Sequence, residues 1–89
     1  MITKKLTIIN KLGLHARAAM KLINAARRYH SHIQIKYQNS IIDAKDILQV
    51  MSLGVSQGKI IECIISGDDE QLAMQAITQL IANRFDEAE

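Results

Sequence analysis

Along this chain the spacing of apolar residues switches repeatedly between two and about 3.6, and that alternation constrains the fold more than any other feature. Ile2, Leu6 and Ile8 share one face of an extended run over 2–9, with Lys4 on the same side. Ala16, Ala19, Met20, Ile23 and Ala26 then recur at helical spacing, which predicts an amphipathic helix over 16–28 closed by Arg27 and Arg28. Ile33, Ile35 and Tyr37 alternate with polar residues, Gln38–Ser40 reads as a turn, and Ile41–Asp43 as a short return strand, so a hairpin is expected. Asp46 to Leu53 reads as a short helix, opened by Asp46 and Gln49 at capping-box spacing and stopped by Gly54. Ile61, Cys63 and Ile65 alternate along a fourth strand. A last helix over 69–83 carries Leu72, Ala73, Ala76, Ile77, Leu80 and Ile81. Asp68, Asp69 and Glu70 are its starting acids, Phe85 closes its apolar stripe, and Asp86–Glu89 reads as a frayed terminus. The order βαββαβα predicts a two-layer α+β sandwich, four strands with helices across one face. Periodicity by itself also allows a ferredoxin-like ligand-binding domain.

The 89 residues, 48% of them apolar, suffice for one small domain over 1–89. A formal net charge of +2 is too small to imply nucleic acid. Tyr29, Tyr37 and Phe85 are the only aromatic residues, too few for a platform that stacks single-stranded bases. No run approaches the ~20 apolar residues of a membrane span, and no signal peptide is evident. The lone Cys63 suits a reducing compartment, so a cytoplasmic location is expected. His30 and His32 lie two apart, but a metal site needs more ligands, so neither a metal nor a cofactor is expected.

The chemistry concentrates in Asn10-Lys11-Leu12-Gly13-Leu14-His15-Ala16-Arg17. A strand stops, a glycine follows, and an Ala-rich helix begins at once, which puts His15 at or beside the helix N-cap. Histidine is a poor N-cap compared with Ser, Thr, Asp or Asn, so local stability is given up there. The first N–H groups of a helix lack intrahelical partners and face outward at the positive end of the dipole. Ala16, Arg17 and Ala18 would present such donors to a phosphate, and Arg17 adds a guanidinium fork. An imidazole with an ordinary pKa of about 6.5 is largely neutral, hence nucleophilic, at neutral pH. These features point to a phosphohistidine site.

Gly13-Leu14-His15-Ala16-Arg17 resembles the active-site motif of the HPr/NPr family, the histidine phosphocarriers of bacterial phosphoenolpyruvate-dependent phosphotransferase systems. Lys45-Asp46-Ile47-Leu48-Gln49-Val50-Met51-Ser52-Leu53-Gly54 resembles the family's second signature. The resemblance covers the whole chain and implies an antiparallel four-stranded sheet covered on one side by three helices. It implies that His15 accepts a phosphoryl group on Nδ1 from enzyme I and passes it to an enzyme IIA, in sugar transport or a nitrogen-regulatory branch. It also implies a carrier rather than an enzyme, acting as a monomer on several partners, regulatory targets among them. Ala19, Met20, Ile47, Leu48 and Met51 are the expected docking residues, with Lys21 and Arg27 as weaker extensions.

Two positions depart from the family pattern. Ala18 stands where many HPr proteins have proline, which keeps the backbone helix-compatible but restores a donor. Asp46 stands where many Gram-positive HPr proteins have a serine that a kinase phosphorylates; Ser52 matches a different position. Aspartate excludes that modification, and its permanent charge is read either as an ordinary N-cap or as a mimic of the modified state. The rival from another class is a docking module that uses the 47–51 ridge without phosphorylation.

Overall fold

Alternation along the strands decides which face of the sheet is buried. The computed structural model describes residues 1–89. Its elements run β1 (Ile2–Thr7), α1 (Ala16–Ala26), β2 (His32–Tyr37), β3 (Ser40–Asp43), α2 (Ile47–Ser52), β4 (Ile60–Ser66) and α3 (Glu70–Ala82), followed by a single turn at Arg84–Asp86. The four strands form one antiparallel sheet in the order β1-β4-β2-β3. The register sets Leu6 opposite Ile61, Ile35 opposite both Cys63 and Ile42, and Ile33 opposite Ile65. All seven are buried, so cross-strand apolar pairs line one face. Against them pack Leu22, Ile23 and Ala26 of α1, Val50 of α2, and Ala73, Ile77 and Ile81 of α3. The opposite face carries Lys5, Lys36, Ile41 and Ile60, all exposed. Burial pushes the Cys63 thiol up to about 12, which makes it an inert core residue.

Local details differ from the sequence-based expectations. Helix α1 ends at Ala26, and Arg27 is its C-cap. Arg27 Nε donates to the Lys45 carbonyl (3.0 Å) and Lys45 Nζ to the Tyr29 carbonyl (2.8 Å), tying the end of α1 to the start of α2. On α3, Leu72 is exposed at 60% and Met74 is buried in its place. The buried line there follows Ala73, Ile77 and Ile81 at four-residue spacing, and Leu72 falls one position off it. Asp69 makes no side-chain cap on α3. Its carboxylate instead accepts from the His30 and Ser31 backbone N–H groups and from the Ser31 hydroxyl, fastening the lead-in to β2. Gly67 closes against the same residue: a side chain there would run into Ser31. Glu70 accepts from the N-terminal amine of Met1 (3.1 Å).

The largest difference is the C-terminal tail, which is not frayed. Arg84, Phe85 and Asp86 all have positive φ (57°, 53° and 63°). For residues that carry a Cβ this conformation costs roughly 1–2 kcal/mol each. The Phe85 ring is fully buried, which offsets part of that. Lys21 Nζ donates to the Phe85 carbonyl (2.9 Å) and lies 3.5 Å from the Asp86 carboxylate. The Lys11 N–H donates to the Glu89 carbonyl (2.7 Å). Phe85 therefore does not extend the α3 stripe; it anchors a reversal that brings the tail back across the start of α1.

Candidate functional site

Between β1 and α1 the chain has to turn sharply. Gly13 does so at φ +69°, where a Cβ would come within 2.5 Å of the Val55 carbonyl oxygen and 2.9 Å of Ser56 Cα, so only glycine fits. The Leu14 N–H donates to Val55 (2.9 Å), and the fully buried Asn10 donates through Nδ2 to the Gly13 carbonyl (2.7 Å). This framework delivers His15 as the N-cap of α1 with an extended backbone (φ −80°, ψ −177°). The His15 carbonyl accepts the first helical bond, from the Ala19 N–H at 2.8 Å. No side chain caps the helix, so the Ala16, Arg17 and Ala18 N–H groups lack intrahelical acceptors.

Arg17 is exposed. Together with Lys11, Leu12, Glu87 and Glu89 it lines a shallow cleft of about 260 Å³ beside His15. A larger groove of about 510 Å³ runs along α3 from Gln71 to Asn83 and contains none of these residues. Ala18 is fully buried, and its methyl group packs in the core.

His15 is partly buried, and its Nε2 lies against the Glu87 carboxylate. The other Glu87 oxygen accepts from Asn10 Nδ2 at 3.0 Å. Burial pushes the Glu87 carboxyl up, but the hydrogen bonds from Asn10 and His15 and the charges of His15 and Arg17 outweigh it, leaving the group below its ordinary value. Sequence reasoning missed both Asn10 and Glu87. Asn10 was visible only as part of a motif, and Glu87 sits in a segment whose composition resembles a solvated end. The available signal was Phe85, a large apolar residue beyond the last helix that needed somewhere to go.

The expected docking residues divide. Leu48, Met51 and Met20 are 78%, 47% and 45% exposed, on neighbouring helices α2 and α1. Ile47 is partly buried against the core. Ala19 is fully buried and forms no part of any docking surface, because it lies on the core-facing side of α1. Lys21 Nζ is engaged by the tail, and Arg27 Nε by the Lys45 carbonyl, although Arg27 is exposed.

Asp46 caps α2 through Oδ1, which accepts from the Leu48 and Gln49 N–H groups at 3.0 and 3.2 Å. The reciprocal half of the capping box is altered. Gln49 Oε1 accepts from the Asp43 N–H (2.9 Å), and its Nε2 donates to Asp46 Oδ2 (3.3 Å) instead of engaging the Asp46 backbone. The cap accounts for the aspartate without further assumption.

Comparison with known proteins agrees with this geometry. Residues 2–83 match the family model described as PTS HPr component phosphorylation site. The chain is 44% identical over 87 residues to phosphocarrier protein HPr of Xylella fastidiosa, covering 98% of each sequence. It is 45% identical over 89 residues to that of Cupriavidus necator, covering 100% of both. Among solved structures it is similar to HPr-C-His from Thermoanaerobacter tengcongensis, with a TM-score of 0.96, 39% identity and 100% of both chains covered.

Proposed function

This chain belongs to the HPr family, the phosphocarriers of the phosphotransferase system, and on that premise we propose that His15 is its phosphoryl acceptor, loaded by phospho-enzyme I and unloaded by an enzyme IIA. The protein is a carrier, not an enzyme: the phosphoryl group is its cargo. The observation that supports His15 most is its position as an uncapped helix N-cap, with three unpartnered N–H groups ahead of it and Arg17 alongside. Transfer between imidazoles requires alignment and stabilisation of charge on the equatorial phosphoryl oxygens. The Ala16, Arg17 and Ala18 N–H groups and the Arg17 guanidinium supply that charge stabilisation. The His15 Nδ1 lone pair attacks phosphorus as the bond to the donor's histidine breaks; the reverse exchange delivers the group to enzyme IIA.

The exposed side chains of Met20, Leu48 and Met51, with Arg17 as a cationic edge, form a small apolar patch suited to brief encounters with more than one partner. No helix is long and apolar enough to cross a membrane. In this reading the carrier works as a cytoplasmic monomer. The test is a two-step relay with labelled phosphoenolpyruvate: label enters the native chain through enzyme I and leaves it on addition of enzyme IIA. A folded His15→Ala chain that still takes up label would refute the assignment.

A further inference from the structure

Resting on the reading of the α1–α2 surface as the place where partners dock, we propose that Met20 and Met51 are sites of reversible oxidation to methionine sulfoxide by hydroperoxides, and that this modification weakens docking. Helical phase turns both side chains outward. Ala19 and Val50, their neighbours in sequence, are fully buried, while Met20 and Met51 are 45% and 47% exposed. Neither methionine therefore serves the core. A thioether on three rotatable bonds is soft and adaptable, which suits a surface that must meet partners of different shape. The same exposure leaves its sulfur open to peroxide. The remaining sulfur-bearing residues lie elsewhere. Met74 of α3 is 8% exposed, and the amine of the exposed Met1 meets Glu70 at the start of α3. Cys63 is shut in the core, so no thiol stands at the surface to take the oxidant first.

The step is a two-electron oxygen transfer. A sulfur lone pair attacks the hydroperoxide, a sulfur–oxygen bond forms as the oxygen–oxygen bond breaks, and the reduced oxidant leaves as water or an alcohol. The apolar thioether becomes a polar, chiral sulfoxide. Met20 and Met51 are two of the three exposed side chains that make the docking patch, so oxidation of both leaves Leu48 as its apolar contact. A sulfoxide pressed against a partner loses its water, and its oxygen goes unsatisfied unless the partner presents a donor there. His15 and Arg17 are unaltered, so phosphoryl chemistry is kept while the encounter is weakened. Reversal needs a methionine sulfoxide reductase and a dithiol: the dithiol gives up two electrons and becomes a disulfide, and the sulfoxide oxygen leaves as water.

The test treats the full native chain and a chain carrying both Met20→Leu and Met51→Leu with hydrogen peroxide, then removes the oxidant with catalase before any partner is added. Peptide masses should show one added oxygen on Met20 and on Met51 well before any on Met74. The KM for the native carrier in transfer from phospho-enzyme I should then rise about five-fold. Its saturating single-turnover rate and unfolding midpoint should stay as they were, which general damage would not allow. The two epimer-specific methionine sulfoxide reductases with a dithiol should restore the original KM. The double variant is compared with its own untreated KM, which peroxide should leave unchanged; it retains Met1, so any effect of that residue is separated. Oxidation of Met20 and Met51 no faster than of Met74, an unchanged KM with both oxidised, or an equal rise in the double variant overturns the proposal and leaves His15 as acceptor. An untreated native chain that accepts no phosphoryl group from active enzyme I overturns both.

Discussion

The Glu87 carboxylate and His15 Nε2 are in hydrogen-bond contact although the two residues are 72 apart in sequence. The contact links the end of the chain to the N-terminus of its first helix, and the tail residues become part of the site. Apart from Asn10, which holds the second Glu87 oxygen, its support lies in residues that touch neither group, which makes several consequences separable.

Phe85 carries the tail. Replacing it with alanine removes a fully buried ring and leaves three positive-φ residues without their main compensation. Chemical denaturation should show a loss of about 3–5 kcal/mol. If the variant remains folded, the His15–Glu87 contact should loosen with it, seen as faster exchange of the Nε2 proton. An unchanged unfolding midpoint would contradict this account of the tail.

Arg17 should matter for chemistry and hardly for folding. It is exposed and lines the cleft beside His15. Arg17→Ala should reduce phosphoryl acceptance by about 10²-fold, the scale for losing one preorganised donor to a developing anion. Its stability should stay within about 0.5 kcal/mol of native. Arg17→Lys restores the charge without the planar fork, so only partial recovery is expected.

Leu48 separates docking from chemistry. Its side chain is 78% exposed on α2. Leu48→Asp should leave the fold intact and raise the KM for enzyme I several-fold with little change in the single-turnover rate at saturation. Ala19→Ser is a different case, because that side chain is fully buried: it should reduce stability without a specific effect on docking.

Asp69 predicts an acid-sensitive term in stability. The Ser31 hydroxyl, with the His30 and Ser31 backbone N–H groups, lowers its carboxyl from 3.8 to about 2. The folded value lies below the unfolded one, so the native state favours the ionised form. This contribution is fully present above the unfolded value and is lost as pH falls through about 2. Urea midpoints measured from pH ~5 down to ~2 should fall more steeply for the native chain than for Asp69→Asn. Parallel slopes would show that the three hydrogen bonds to Asp69 do not select its charged form.

Much of this was legible in the order of residues. The alternation of Ile33 and Ile35, of Ile61, Cys63 and Ile65, and the helical spacing of Ala19, Ile23 and Ala26 each mark a buried face that the structure uses. The Gly13–His15–Arg17 spacing announced a helix N-terminus with an imidazole on it. What was hidden depends on three-dimensional closure. Glu87 has no local pattern, because its contacts with His15 and Asn10 come from Phe85 reversing the chain and from Asn10 lying in the β1–α1 turn. Asp69 read as a helix-start acid by composition, yet its carboxylate is claimed by Ser31, whose position depends on how β2 docks beside β4. Leu72 reads as part of the apolar stripe of α3, and four-residue phasing with Ala73, Ile77 and Ile81 turns it outward. Local propensity identifies elements; pairings between distant segments decide which polar groups meet.

The most direct measurement on the central claim is phosphorus–nitrogen coupling in a chain carrying nitrogen-15 histidine, phosphorylated by enzyme I and phosphoenolpyruvate. The account predicts one acid-labile phosphoryl group, coupled directly to Nδ1 of His15, with a proton on Nε2. Phosphorus coupled to Nε2, or residing on any other residue, would contradict it.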